Sequence, residues 1–138
     1  MKLIKLMFCS ELFNVKSALN DILDFLDKYA PSISPSDKSE IRLIFSELLC
    51  NAVIHGNNED SNKKVCLSVD IIDDVLHATV CDEGAGFNYD DMLSEKTEYD
   101  EYNETGRGIQ LVRSLTDHLY FNSSGNIIFF KKRVRMVE

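Results

Sequence analysis

Residues 46–57 read SELLCNAVIHGN, with Glu47 and Asn51 four positions apart. On a helix that spacing stacks the two side chains one turn from each other. At about 100° per residue they lie on the flank of the apolar stripe made by Ile41, Ile44, Phe45, Leu48, Leu49 and Ala52, not opposite it. A carboxylate and a carboxamide stacked at such an edge supply a proton acceptor and a neutral oxygen ligand. The pair suits a water or hydroxyl nucleophile beside a magnesium ion. Taken alone, it reads more simply as a solvated helix edge. His55 comes one turn later, nearer the apolar side, and by itself reads as a cap or packing residue.

Two further stretches could do chemistry. In Val80-Cys81-Asp82-Glu83-Gly84-Ala85-Gly86-Phe87 an acid ends an apolar strand and glycines follow in alternation. Glycines let a backbone turn sharply and approach a flat ligand closely. Asp82 could accept a hydrogen bond from an exocyclic amine there; the plain alternative is an ordinary turn. In Thr105-Gly106-Arg107-Gly108-Ile109-Gln110-Leu111-Val112 glycines open a helix after a polar loop. Free N–H groups at a helix start cradle phosphate, and Arg107 could add a charged clamp. The plain alternative is a loop end with a surface arginine. Between these stretches, NYDDMLSEKTEYDEYNE carries seven acids against Lys96. It lacks the ligand alternation of a calcium loop. Its place between glycine-rich turns suits a lid.

The elements that must position these residues are legible in the periodicities. Lys2–Phe8 alternates as a strand. Asn14–Tyr29 is an amphipathic helix with Val15, Ala18, Leu19, Ile22, Leu23, Leu26 and Tyr29 on one face, ended by Ala30-Pro31. Ser34-Pro35-Ser36-Asp37 opens a second helix, with Ser34 as N-cap, Pro35 at N1 and Asp37 at N3. Gly56 is expected to close it in the left-handed conformation. Lys64–Ile72 and Val75–Cys81 form a hairpin around Asp73-Asp74. Phe87–Thr105 reads as loop, and Gly108–Leu115 as a short helix. Leu119–Asn122 and Ile127–Val134 make a closing hairpin around Ser124-Gly125-Asn126. Hairpins make the sheet antiparallel, and the helices need one of its faces. The expected fold is an α/β two-layer sandwich.

Composition bounds the function. A chain of 138 residues, 44% hydrophobic and 28% charged, suits one domain spanning residues 1–138. A net charge of −8 argues against non-specific nucleic-acid binding. It leaves ATP open, because backbone N–H groups and a bound cation can hold phosphates locally. No two of Cys9, Cys50, Cys66 and Cys81 are spaced as CxxC. They are expected to be reduced packing residues of a cytosolic protein. The apolar start MKLIKLMFCSELF is too short to span a membrane and turns acidic at once, unlike a signal peptide. The expectation is a cytoplasmic protein without membrane or direct nucleic-acid contact.

The order Glu…Asn helix, Asp-x-Gly-x-Gly turn, Gly-x-Gly helix start resembles the ATP-binding superfamily of gyrases, heat-shock chaperones of the ninety-kilodalton class, histidine kinases and mismatch-repair ATPases. The likeness runs from about Glu40 to Lys132. Within that superfamily, SELLCNAVIHGN and DEGAGF are similar to the anti-sigma-factor serine kinases, whose kinase domain stands alone. The dimerisation helix pair of sensor histidine kinases, with its phosphorylated His, has no counterpart here. The resemblance implies a Bergerat-type fold: a mixed, mostly antiparallel sheet with three main helices on one face. It implies ATP and Mg²⁺ as cofactors. Glu47 would be the general base, and Asn51 would ligate Mg²⁺. Asp82 would bind the adenine amino group, and Gly84 and Gly86 would let the chain pass the nucleotide. Gly106, Arg107 and Gly108 would hold phosphates. His55 matches the subgroup without a defined duty. After Gly125 the family usually has Thr, where this chain has Asn126, which can still donate and accept at the adenine. The implied activity is a protein serine/threonine kinase acting on a small anti-sigma-factor antagonist, with a sigma factor as second partner and a homodimer as the assembly. The alternative is a nucleotide-dependent binding module that sequesters a regulatory partner without phosphotransfer.

Overall fold

A computed structural model describes residues 2–85 and 104–137, and backbone alone for 104–107. The chain runs β1 (Lys2–Cys9), α1 (Leu12–Tyr29), α2 (Pro35–Asn51), a π-helical turn (Ala52–Gly56), β2 (Lys64–Ile72), β3 (Val75–Cys81), α3 (Glu104–Leu115), β4 (His118–Phe121) and β5 (Ile127–Arg133). The five strands form one sheet in the order β1-β2-β3-β5-β4. Every pairing is antiparallel. Alternate strand residues Val65, Leu67, Val69, Leu76, Ala78, Val80, Ile128 and Phe130 are buried against the helices. No helix among the described residues is long and apolar enough to cross a membrane.

The capping expected at α2 is present: the Asp37 amide donates to Ser34 Oγ at 3.1 Å and Pro35 is the first helical residue. The α2 stripe Ile41, Ile44, Phe45, Leu48, Leu49 and Ala52 is buried throughout. On α1 the buried row includes Phe25 and leaves Tyr29 exposed. The chain turns from Ile72 to Val75 on Asp73, whose φ of 56° is left-handed, as a two-residue hairpin requires.

The end of α2 differs from expectation. Gly56 does not adopt a left-handed conformation; Asn58 and Glu59 do, with φ of 54° and 55°. The helix first widens into a π-turn, in which the Asn57 amide reaches back to the Ala52 carbonyl at 2.9 Å. The wider turn takes in an extra residue and shifts the helix face there, so His55 is exposed, not on the apolar side. The cysteines are free, as expected, and half-buried, with Cys50 packed against the core. The third helix begins at Glu104, so Gly106 and Gly108 lie within its first turns and Glu104–Thr105 is not loop. The expected lid, and Gly86 with it, falls outside the described residues.

Two charged side chains fasten the frame around the site. Lys132 ends the inward row of β5, buried, with Nζ 2.7 Å from Glu40 of α2 and 2.8 Å from the Leu115 carbonyl closing α3. An ammonium at a helix C-terminus meets both its free carbonyls and its dipole. Asp37 is buried and accepts from the Arg135 amide at 2.7 Å, tying the C-terminal segment to the start of α2.

Candidate functional site

Folding brings the three stretches onto one rim, at the end of α2 where β3 runs out. Asp82 follows β3 directly; its amide donates to the Asn126 carbonyl at 3.0 Å and its Oδ1 accepts from the Gly84 amide at 2.8 Å. Its carboxylate lies against the Cα of Gly56, where any Cβ would overlap it. A Cβ on Gly84 would collide with the Gly56 carbonyl. Glycine is therefore required at both places because two backbones and a carboxylate share the space. Burial pushes the Asp82 carboxyl above its ordinary value, against the pull of the Gly84 amide and the Lys63 charge. The result is a half-buried acceptor held by close-packed backbone, suited to an amine donor.

At the other end, Glu47 reaches α3. A Cβ on Gly108 would run into Glu47 Oε2 and lie 3.2 Å from its Cδ. The carboxylate of one stretch thus rests on the glycine of another. Asn51, one turn along α2, is 5% exposed, and its Nδ2 has no hydrogen-bond partner among the described residues. A buried amide end without a partner is costly. A half-turn about χ2 exchanges nitrogen for oxygen, so the same position can offer a neutral oxygen to a cation. Among the described residues no cluster of three or more His, Cys, Asp or Glu side chains could hold a metal. A cation here would therefore rest on Asn51 together with oxygens brought by a ligand. That arrangement fits Mg²⁺, which keeps few protein ligands and binds through phosphates. The residues present accordingly fit both an adenine and a phosphate-bound magnesium. The side chain of Arg107 lies outside what is described, while Gly106 and Gly108 share the α3 backbone.

Asn126 is occupied within its own neighbourhood. Its Oδ1 accepts from Asn122 Nδ2 at 2.8 Å, and its Nδ2 donates to the Gly84 carbonyl at 3.3 Å. It braces the Asp82 turn.

Sequence reasoning missed Asn57. This residue is fully buried, with Nδ2 donating to the Lys64 carbonyl at 2.9 Å and Oδ1 accepting from the Glu83 amide at 2.8 Å. One side chain therefore joins the end of the π-turn, the start of β2 and the turn behind Asp82. Glu83 adds a second tie by accepting from the Lys64 amide. The available signal was the asparagine directly after Gly56, at a point where a polar residue caps nothing regular.

Comparison with known proteins agrees with this geometry. Residues 13–135 match the histidine kinase-like ATPase domain family. The chain is 31% identical over 134 residues to the anti-sigma F factor of Geobacillus thermodenitrificans, covering 94% of this chain and 90% of that protein. It is 30% identical over 100 residues to the serine-protein kinase RsbW of Bacillus subtilis, covering 67% of this chain and 62% of that protein. The solved RsbU and RsbW domains of Rv1364c from Mycobacterium tuberculosis share the fold, with a TM-score of 0.69 at 16% identity, covering 100% of this chain and 34% of that one. With a rim of Glu47, Asn51 and Asp82 and a family match over nearly its whole length, the chain belongs to the histidine kinase-like ATPases.

Proposed function

We propose that this chain is an ATP-binding regulator of the anti-sigma-factor type that phosphorylates a serine or threonine of a small antagonist protein. Its second partner is a sigma factor, and its working form is a homodimer. The observation that carries the reading is the approach of Glu47 to Gly108 beside the buried Asn51 amide, whose Nδ2 has no partner among the described residues.

Bound Mg·ATP supplies a transferable phosphoryl group and the cation that screens its charge. Glu47 accepts the proton of the incoming hydroxyl. Asn51 turns its amide oxygen to the magnesium. Asp82 accepts a hydrogen bond from the adenine amino group, its carboxylate held in place by the close packing of Gly56 and Gly84. The first amides of α3, Gly106 among them, and Arg107 face the phosphates. The test is incubation with γ-labelled ATP and the cognate antagonist. Label should appear on Ser or Thr, and Glu47→Gln should abolish it while sparing nucleotide binding. No transfer to an authentic antagonist would sink the kinase reading.

One observation favours a second reading, a nucleotide-dependent binding module without phosphotransfer. Asn126 spends its side chain on Asn122 and Gly84, where the family usually presents Thr to the adenine. ATP-dependent partner binding with no ADP formed, followed by calorimetry, would select that reading. Equal partner affinity with and without nucleotide would count against it.

A further inference from the structure

The helices cover one face of the sheet, and on the other Cys66 of β2 stands directly opposite Cys81 of β3. Buried Val65, Leu67 and Val80 alternate with them, so both thiols point away from the helices. Pairs along this hairpin alternate in type from the two-residue turn. Ile72–Val75 closes the turn as a hydrogen-bonded pair, and Cys66–Cys81 is six residues further along β2, in phase with it. Such a pair holds its Cα atoms about 5.5 Å apart, inside the Cα range of a disulfide, but its Cβ atoms stand wider than the roughly 3.5–4.5 Å of a relaxed one, so closing the bond draws the two strands together and leaves it easily reduced. Both cysteines line a shallow cavity of about 310 Å³, shared with Lys5, Met7, Ser68 and Thr79, which admits a small oxidant. The remaining cysteines are placed differently: Cys50 lies on α2, and Cys9 Sγ is held 3.0 Å from Lys64 Nζ.

We propose that Cys66 and Cys81 form a redox-modification site, a dithiol that a peroxide closes to a disulfide across β2 and β3. The Cys66 sulfur attacks a peroxide oxygen; an S–O bond forms, the O–O bond breaks and water leaves. The Cys81 sulfur then attacks the Cys66 sulfenic sulfur; the S–S bond forms, the S–O bond breaks and a second water carries off the remaining proton. Two thiols and one peroxide give one disulfide and two waters. Burial and the neighbouring Cys66 and Asp82 raise the Cys81 thiol, which disfavours its thiolate and leaves the first attack to Cys66. Cys81 is the residue before Asp82, so the cross-link twists the ladder at the point where the Asp82 amide meets Asn126. The oxidised form therefore binds adenine nucleotide more weakly, a consequence that rests on the nucleotide site proposed above.

The full reduced chain is treated with a few equivalents of hydrogen peroxide, denatured, alkylated and mapped by mass spectrometry. Two of its four thiols should escape alkylation as an intrachain link between Cys66 and Cys81, reversed by dithiothreitol and absent in Cys66→Ser and in Cys81→Ser. Alkylation of both at doses that already oxidise Cys9, or links only between chains, overturns the proposal. Oxidised wild type should bind ATP about tenfold more weakly than reduced, roughly what one misplaced hydrogen bond is worth, with no change in the double serine variant. A mapped disulfide with unchanged affinity overturns the coupling. Failure of the reduced chain to bind ATP refutes the proposed function and leaves the thiol map to stand by itself.

Discussion

The two ends of the rim are built on opposite plans. At the Asp82 end, backbone lies on backbone: Gly84 on the Gly56 carbonyl, Asp82 on the Gly56 Cα, with Asn57 and Asn126 bracing the turn through four side-chain hydrogen-bond contacts in all. At the Glu47 end the close contact is the tip of a flexible side chain on Gly108, and the nearest amide, that of Asn51, has an end without a partner. A rigid end suits recognition of a rigid ring, whose shape is fixed before binding. An end with a long carboxylate and an amide nitrogen unpaired among the described residues suits phosphates and a hydroxyl, where charge moves during the reaction.

The largest effect should come from adding a methyl group where nothing can yield. Gly84→Ala puts a Cβ into the Gly56 carbonyl, so the turn must move and Asp82 with it. Nucleotide binding should fall by on the order of a hundredfold, about 2–3 kcal/mol of overpacking. Calorimetry measures it, and ATP affinity within a factor of two of wild type would break the contrast between the ends. Glu47→Gln comes next, with transfer lowered by about a hundredfold or more and ATP affinity kept, since a general base acts only in the reaction. Asn57→Ala should cost about 1–3 kcal/mol of stability, because it leaves the buried Lys64 carbonyl and Glu83 amide unpaired. It should also weaken ATP binding several-fold by loosening the Asp82 turn. Denaturant unfolding and ATP titration separate the two.

Acid sharpens the same contrast through two carboxylates. Asp82 is held above the ordinary 3.8 by burial, despite the Gly84 amide and Lys63. Asp37 is also pushed up by burial, but the Arg135 amide, Ser34, Lys132 and Arg135 bring it below 3.8. A lowered carboxyl adds stability that is present above its unfolded value and lost as pH falls through the folded one. A raised carboxyl has the reverse sign: protonation favours the folded state, so acid does not unfold the chain through Asp82. It removes the charged acceptor instead. ATP affinity should therefore decline as pH falls through a range above the ordinary carboxylate value, before the fold gives way. Asp82→Asn should bind weakly with little slope across that window. Parallel loss of binding and of ellipticity would contradict this.

How much of this was legible depended on the period of the signal. β2 and β3 alternate strictly, and their limits and turn could be read directly from Val65, Leu67, Val69 and Asp73-Asp74. The Ser34-Pro35-Asp37 cap was equally local. The convergence of Glu47, Asp82 and the glycines was legible only through the resemblance, because contacts between residues far apart leave no periodicity. Asn57 escaped for the same reason, whereas the Cys66–Cys81 pairing follows from the register of the Asp73-Asp74 hairpin. Gly56 misled because the sequence offers a common reason for a glycine there, a left-handed cap. The structure supplies a different one: the Asp82 carboxylate fills the place of a side chain. A π-turn has no sequence signature that separates it from an ordinary helix end.

The smallest effect is expected at Gly108, and there it divides in sign. Alanine is worth up to about 1 kcal/mol over glycine inside a helix, so α3 gains stability from Gly108→Ala. The nearest atoms the new Cβ meets are Glu47 Oε2 and Cδ, the movable end of a long side chain, so the fold yields by rotating that carboxylate. Thermal stability should therefore hold or rise slightly, in contrast to Gly84→Ala. Phosphotransfer should nevertheless fall, because the atom displaced belongs to the proposed proton acceptor. ATP affinity should change least, since the Asp82 end is untouched. A variant that is more stable, binds ATP normally and transfers poorly would locate the chemistry at the flexible end of the rim. One that loses stability as Gly84→Ala does would mean that Glu47 is packed as firmly as Asp82, and that the two ends are not built differently.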